Sequence, residues 1–121
     1  MSTSSIFLLT GALMPDGRIL VKANMRDAAK ARDQFMVLTE SDELYDEALT
    51  HAVSYVTLLP DGKMEVKVRV VSDESPGGLE SSSRTKIQLT QDSTLFQRLA
   101  RIAGPLAIGK QVWLDLPRNV K

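Results

Sequence analysis

The chain has 121 residues, with 15 Lys and Arg against 15 Asp and Glu, 43% hydrophobic and 25% charged residues, no Cys and one His. Such a composition suits a single globular domain over residues 1–121 and excludes a collagenous, disulfide-stapled or disordered chain. Without Cys there is no thiolate nucleophile, thiol redox switch or thiolate metal site, and the expected compartment is the reducing cytoplasm.

In chain order, the apolar run from Ile6 to Met14 reads as a buried strand. No Lys or Arg precedes it, as a signal peptide would require, and Pro15-Asp16-Gly17 interrupts it at once. It also falls well short of the roughly 20 apolar residues needed to span a bilayer, so no membrane partner is expected. Pro15-Asp16-Gly17 is itself a turn signal: Pro presets φ, Asp bonds nearby backbone and Gly supplies a positive φ. It predicts a hairpin pairing about residues 5–13 with 18–24. From Asn24, a good N-cap, the Ala-rich stretch through Met36 predicts a helix with Ala28, Ala31, Phe35 and Leu38 on its apolar stripe. A second helix is expected from Ser41, with Asp42, Glu43, Asp46 and Glu47 in its first turns, where the helix dipole favours negative charge.

Pro60-Asp61-Gly62 repeats the first turn, and it predicts a second hairpin between about 52–59 and 64–70. Met64, Val66, Val68 and Val70 alternate with Glu65, Lys67 and Arg69, the period of a strand with one buried face. The likeness between the two hairpins fades after Val21-Lys22 and Val66-Lys67, so it reads as convergent turn chemistry. Residues 72–83, with Pro76-Gly77-Gly78 and five Ser, predict a mobile loop. A short strand near Thr85–Leu89 follows, then a helix capped by Thr90 or Asp92 with Leu95, Phe96, Leu99 and Ile102 on one face, ended by Gly104-Pro105. The last strand is expected over about Lys110–Leu116. Together these elements predict an α+β fold, with two antiparallel hairpins and a C-terminal strand forming a sheet and about three helices packed mainly on one face.

Catalytic chemistry finds little support. Gly104 to Lys110 spells G-x-x-x-x-G-K, but Gln111 stands where Ser or Thr would hold magnesium, and the segment runs from helix to strand rather than from strand to helix. Glu43, Glu47 and His51 would align at i, i+4 and i+8 on an extended second helix, yet a solvated acidic face explains them better than a metal site. No catalytic residue, metal or cofactor is therefore expected.

Charge is unevenly distributed. Residues 37–60 carry Glu40, Asp42, Glu43, Asp46 and Glu47 and no Lys or Arg, whereas residues 84–121 carry seven Lys and Arg against Asp92 and Asp115. An acidic and a basic segment on one neutral chain suit association with a partner, with a second copy, or within the molecule. Trp113 alternates against Val112 and Leu114 and is expected on the other side of the sheet. With Arg98, Arg101, Lys110, Arg84 and Lys86 it makes a candidate partner-binding surface. The leading expectation is a non-enzymatic protein-binding or self-associating accessory domain. The alternative is a single-stranded nucleic-acid-binding module, in which Trp113 stacks a base and the basic residues neutralise phosphates.

Overall fold

A computed structural model describes residues 6–25, 32–72 and 76–114. The elements in order are β1 (Ile6–Leu13), β2 (Ile19–Met25), β3 (Arg32–Leu38), α1 (Tyr45–Ala52), β4 (Val53–Leu58), β5 (Met64–Val70), α2 (Pro76–Glu80), β6 (Ser83–Leu89), α3 (Thr94–Ala103) and β7 (Gln111–Trp113). The fold is α+β.

Both Pro-Asp-Gly turns close hairpins, and they do so with the same hydrogen bonds. Gly17 N donates to Met14 O at 3.0 Å and Gly62 N to Leu59 O at 2.9 Å. The Asp16 carboxylate accepts from Arg18 N at 3.1 Å, and that of Asp61 accepts from Lys63 N at 3.0 Å. Gly17 and Gly62 lie at φ 94° and 90°, a region a Cβ disfavours, which is why Gly occupies both positions.

The helix expected from Asn24 to Met36 is not what forms. Arg32–Leu38 is a strand, paired antiparallel with β2 from Ile19↔Leu38 to Met25↔Arg32, and residues 26–31 lie outside the described residues. Phe35, Val37 and their neighbours suit a pleated surface, and the open edge of β2 supplies a full ladder that helix propensity cannot outweigh. Asn24 spends its side chain across the strands, donating Nδ2 to Asp33 Oδ1 at 3.0 Å.

The structure repeats one β-β-β-α unit, β1-β2-β3-α1 followed by β4-β5-β6-α3. A shift of 45 residues carries Leu8↔Ala23 onto Val53↔Val68 and Leu13↔Ile19 onto Leu58↔Met64, and the register slips at the same place in both hairpins. At the third strand Ile19↔Leu38 corresponds to Met64↔Leu89, the second strand still shifted by 45 residues and the third by 51. The likeness therefore extends well beyond the turns. The extra length lies between β5 and β6, inside the segment expected to be a mobile loop, and it holds α2. That short helix is pinned by Leu79, buried with Ala12, Met14, Leu20 and Val71. The Ser82 hydroxyl donates to Leu79 O at 2.7 Å.

In the sheet, β5 is flanked by β4 on one side and β6 on the other, and β7 extends the sheet beyond β4. The first unit joins through β1, whose Leu13 meets Val70 in parallel, with Val71 N donating to Leu13 O at 3.0 Å. The main core gathers Ile19, Val21, Met64, Val66 and Val68 from the strands with Leu49 of α1 and Leu99 of α3. The helices α1 and α3 share the core face, as expected of most of the helices, while α2 packs against the reverse side of β1 and β2. Helix starts also differ from expectation. Ser93 caps α3, its hydroxyl accepting from Leu95 N and Phe96 N at 3.1 and 3.3 Å, and α1 starts at Tyr45 after a turn in which Asp42 accepts from Thr39 N. No helix among the described residues is long and apolar enough to cross a membrane.

Candidate ligand-binding sheet face

Residues paired across a sheet point to the same side, so the ladder registers assign each side chain of β4 to β7 to a face. Met64, Val66 and Val68 point into the core, leaving Glu65, Lys67 and Arg69 on the outer face of β5. Lys67 pairs with Lys86 of β6 and with Tyr55 of β4, and Tyr55 pairs with Trp113 of β7. One row across four strands thus reads Lys86, Lys67, Tyr55, Trp113, spanning about 14 Å at the usual strand spacing. A second row, one pleat along, reads Gln88, Glu65, Thr57, Gln111. Beyond the first row on the other side, Arg69 stands opposite Arg84.

The electrostatics of this face are unusual for a stable sheet. Lys67 directly faces Lys86 and Arg69 directly faces Arg84, and like charges in such positions are destabilising. Among the described residues no ion pair relieves any of the four. Arg69 donates Nη1 to Ser82 Oγ at 3.3 Å, while its Nε is buried without a partner. Burial, and then the charge of Arg84, lower the Arg69 pKa from its ordinary value. Trp113 is 47% exposed, and its ring centre lies 4.9 Å from that of Tyr55 at a tilt of 54°. Thr57 is 8% exposed, with its hydroxyl buried and unpartnered. Two orphaned polar atoms on one face are notable, because leaving such a group unpaired costs about 1–3 kcal/mol.

The residues singled out from sequence divide between two surfaces. Trp113, Arg84 and Lys86 lie on this outer face, and Lys110 is exposed in the connection just before β7. Arg98 and Arg101 do not join them, because α3 packs on the opposite, core side of the sheet. Arg98 is engaged internally: Nη1 meets Asp46 Oδ1 at 2.7 Å, Nη2 donates to Glu40 O at 2.6 Å, and the guanidinium stacks 4.9 Å above the Tyr45 ring. Arg101 reaches the same carboxylate at 3.9 Å. The acidic and basic segments thus meet inside the chain. Lys67, Arg69 and Tyr55 belong to the outer face but were missed. The alternation of Met64 to Val70 already put the first two on the exposed side of their strand, whereas their neighbours in space follow only from register.

The other sequence candidates resolve as structure. Gly104 and Gly109 take φ 82°, the first ending α3 and the second donating its N–H to Leu58 O at 2.8 Å as the chain turns into β7. Glu43 precedes α1, so it does not share a helix with Glu47 and His51. A cavity of about 550 Å³ lies between Met14, Val71 and Gly78, lined also by Leu13, Val70, Ile87 and the serines Ser72, Ser81 and Ser83; among the described residues no charged side chain lines it.

No protein-family model matches the chain, and no curated protein or solved structure matches it.

Proposed function

We propose that the protein binds single-stranded nucleic acid on the outer face of β4 to β7. The observation that carries this reading is the row Trp113, Tyr55, Lys67, Lys86 with Arg69 and Arg84 beside it: an exposed aromatic ring continuous with cations that have no carboxylate partner among the described residues. A base stacked on an aromatic side chain contributes about 1–3 kcal/mol, and every base has a face to stack. Phosphates along the same strand supply the charge that four facing cations lack, removing a repulsion that the free protein carries. A flat sheet reaches base faces only when bases are unpaired, which favours single strands over duplex.

The test is fluorescence anisotropy of a labelled single-stranded DNA octamer, read alongside emission from the lone tryptophan. Binding should be saturable and quench Trp113, and log affinity should fall with log salt by about 0.7 per phosphate engaged. Trp113→Ala and Lys67→Glu should each weaken it. No binding at low salt, or binding indifferent to both substitutions, rejects the reading.

A second reading, contact with a protein or a second copy, draws on different residues. Phe7, Leu9 and Phe35 are exposed on the first unit, and Phe35 shares a row with Thr10 and Lys22 on the outer side of β1 to β3. Large exposed apolar side chains gathered together mark interaction surfaces. Sedimentation over a concentration series, with Phe7→Ser/Phe35→Ser as the control, tests it: a monomer at every concentration rules out self-association.

A further inference from the structure

We infer that the second row of this face, Gln88, Glu65, Thr57 and Gln111, makes the platform selective for bases that carry an exocyclic amino group, with Glu65 the residue that discriminates. This rests on the nucleic-acid reading above and adds which bases the strand presents. The two rows are one pleat apart, about 7 Å along each strand, and they differ sharply in chemistry. One holds cations and aromatic rings. The other holds two amides, a hydroxyl and a carboxylate.

A strand laid across β7 to β6 has its phosphates over the lysines and arginines and its first base on Trp113. Base edges then point at the polar row, Gln111 beside the first base and Glu65 beside the next one inward, over Lys67, with Tyr55 and Thr57 of β4 buried between them. The Gln amides and the Thr hydroxyl donate and accept and so tolerate any base edge, but an ionised carboxylate only accepts. Glu65 is therefore satisfied by the N4 amino group of cytosine or the N6 amino group of adenine, whereas uracil or thymine offers it only N3–H, flanked by the O2 and O4 carbonyls that repel a carboxylate.

Two further observations support a base edge at this row. Glu65 lies two residues from Lys67 yet pairs with neither Lys67 nor Lys86, so its carboxylate is not consumed in neutralising the platform. The buried Thr57 hydroxyl, directly opposite Glu65 in the ladder, has no hydrogen-bond partner among the described residues. A ligand donor entering between Glu65 and Gln111 meets the Glu65 carboxylate, and it reaches the covered Thr57 hydroxyl only if the side chains around it move.

The experiment compares single-stranded dC8 and dU8, which differ at C4 and N3 but have rings of equal size and no thymine methyl, at neutral pH and fixed salt. Wild-type protein should prefer dC8 by about fivefold or more, the usual scale for a correctly paired base edge. Glu65→Gln should bring the ratio close to one while affinity for dU8 rises. If Glu65 acts only as a negative charge repelling phosphate, Glu65→Gln raises both affinities equally and leaves the ratio unchanged, and the inference fails. If dU8 equals dC8 on the wild type while Trp113→Ala abolishes both, the selectivity is wrong and the binding face stands. If neither oligomer binds, both fall together.

Discussion

Arg98 on α3 and Asp46 on α1 meet at 2.7 Å, and the same guanidinium donates to Glu40 O and covers the Tyr45 ring, so one side chain ties the helix of the second repeat to the helix of the first. Charge-assisted hydrogen bonds and a cation–π contact are each worth on the order of 1 kcal/mol in such a setting, and the Arg98 side chain is 23% exposed, which screens the ion pair.

Arg98→Ala should therefore lower stability by about 1–2 kcal/mol, seen as a lower melting temperature. Asp46→Ala should share part of that loss, so the double variant falls short of the sum of the singles. Oligonucleotide binding should be unchanged, because α3 lies on the other side of the sheet. Loss of binding at an unaltered melting temperature would move the site to the helix face.

Lys86→Glu should separate stability from binding. Placing a carboxylate opposite Lys67 converts a repulsive cross-strand pair into an attractive one, a gain of about 0.2–1 kcal/mol. The same change removes a phosphate contact and adds a repulsive charge. Chemical denaturation should thus show equal or greater stability while octamer affinity drops several-fold; a variant that is both less stable and unimpaired in binding contradicts the account.

The two turn glycines should respond alike to Ala, each losing about 1–2 kcal/mol for a side chain held at positive φ. Gly62→Ala should cost somewhat more. A Cβ there comes within 2.8 Å of Gln91 Nε2, which donates to Gly62 O, whereas at Gly17 nothing lies within 4 Å. Urea denaturation of the two variants measures the difference, and Asn at either position should be milder because it tolerates that region better.

Acid should weaken the first hairpin through Asp16 and Asp33. Hydrogen bonds from Arg18 hold the Asp16 carboxyl below its ordinary value of 3.8, and the Asn24 amide followed by Lys22 does the same for Asp33. A carboxylate whose folded pKa is depressed stabilises the native state above the unfolded value and loses that contribution as pH falls through the folded one. Stability at pH 6 should accordingly exceed that at pH 3, and Asp16→Asn should be less stable than wild type at pH 6, with the gap closing toward pH 3. A gap that persists at pH 3 would assign the Asp16 effect to something other than its ionisation.

Local chemistry made much of the fold legible. A Pro-Asp-Gly triplet restricts its own backbone wherever it occurs, so both hairpin tips could be placed from three residues each. The alternation of Met64 to Val70 marked one buried face because a strand with one side on the core must alternate. Leu95, Leu99 and Ile102 recur at helical spacing, and α3 followed. Where local preference and long-range pairing disagreed, local preference misled. Arg32–Leu38 has helix-compatible residues but lies against β2, and the ladder outweighs a propensity difference of tenths of a kcal/mol per residue. Leu79 is one apolar residue in a polar stretch, and nothing nearby in sequence signals the partners that bury it. The candidate site shows the same division. Exposure of Trp113 and the outward direction of Lys67 and Arg69 follow from alternation within single strands. The choice of Lys67 and Lys86 over Arg98 and Arg101 as its companions depends on register and on which face a helix covers. These are relations between segments tens of residues apart, and they arise only when the core closes and each strand commits one of its two faces to it.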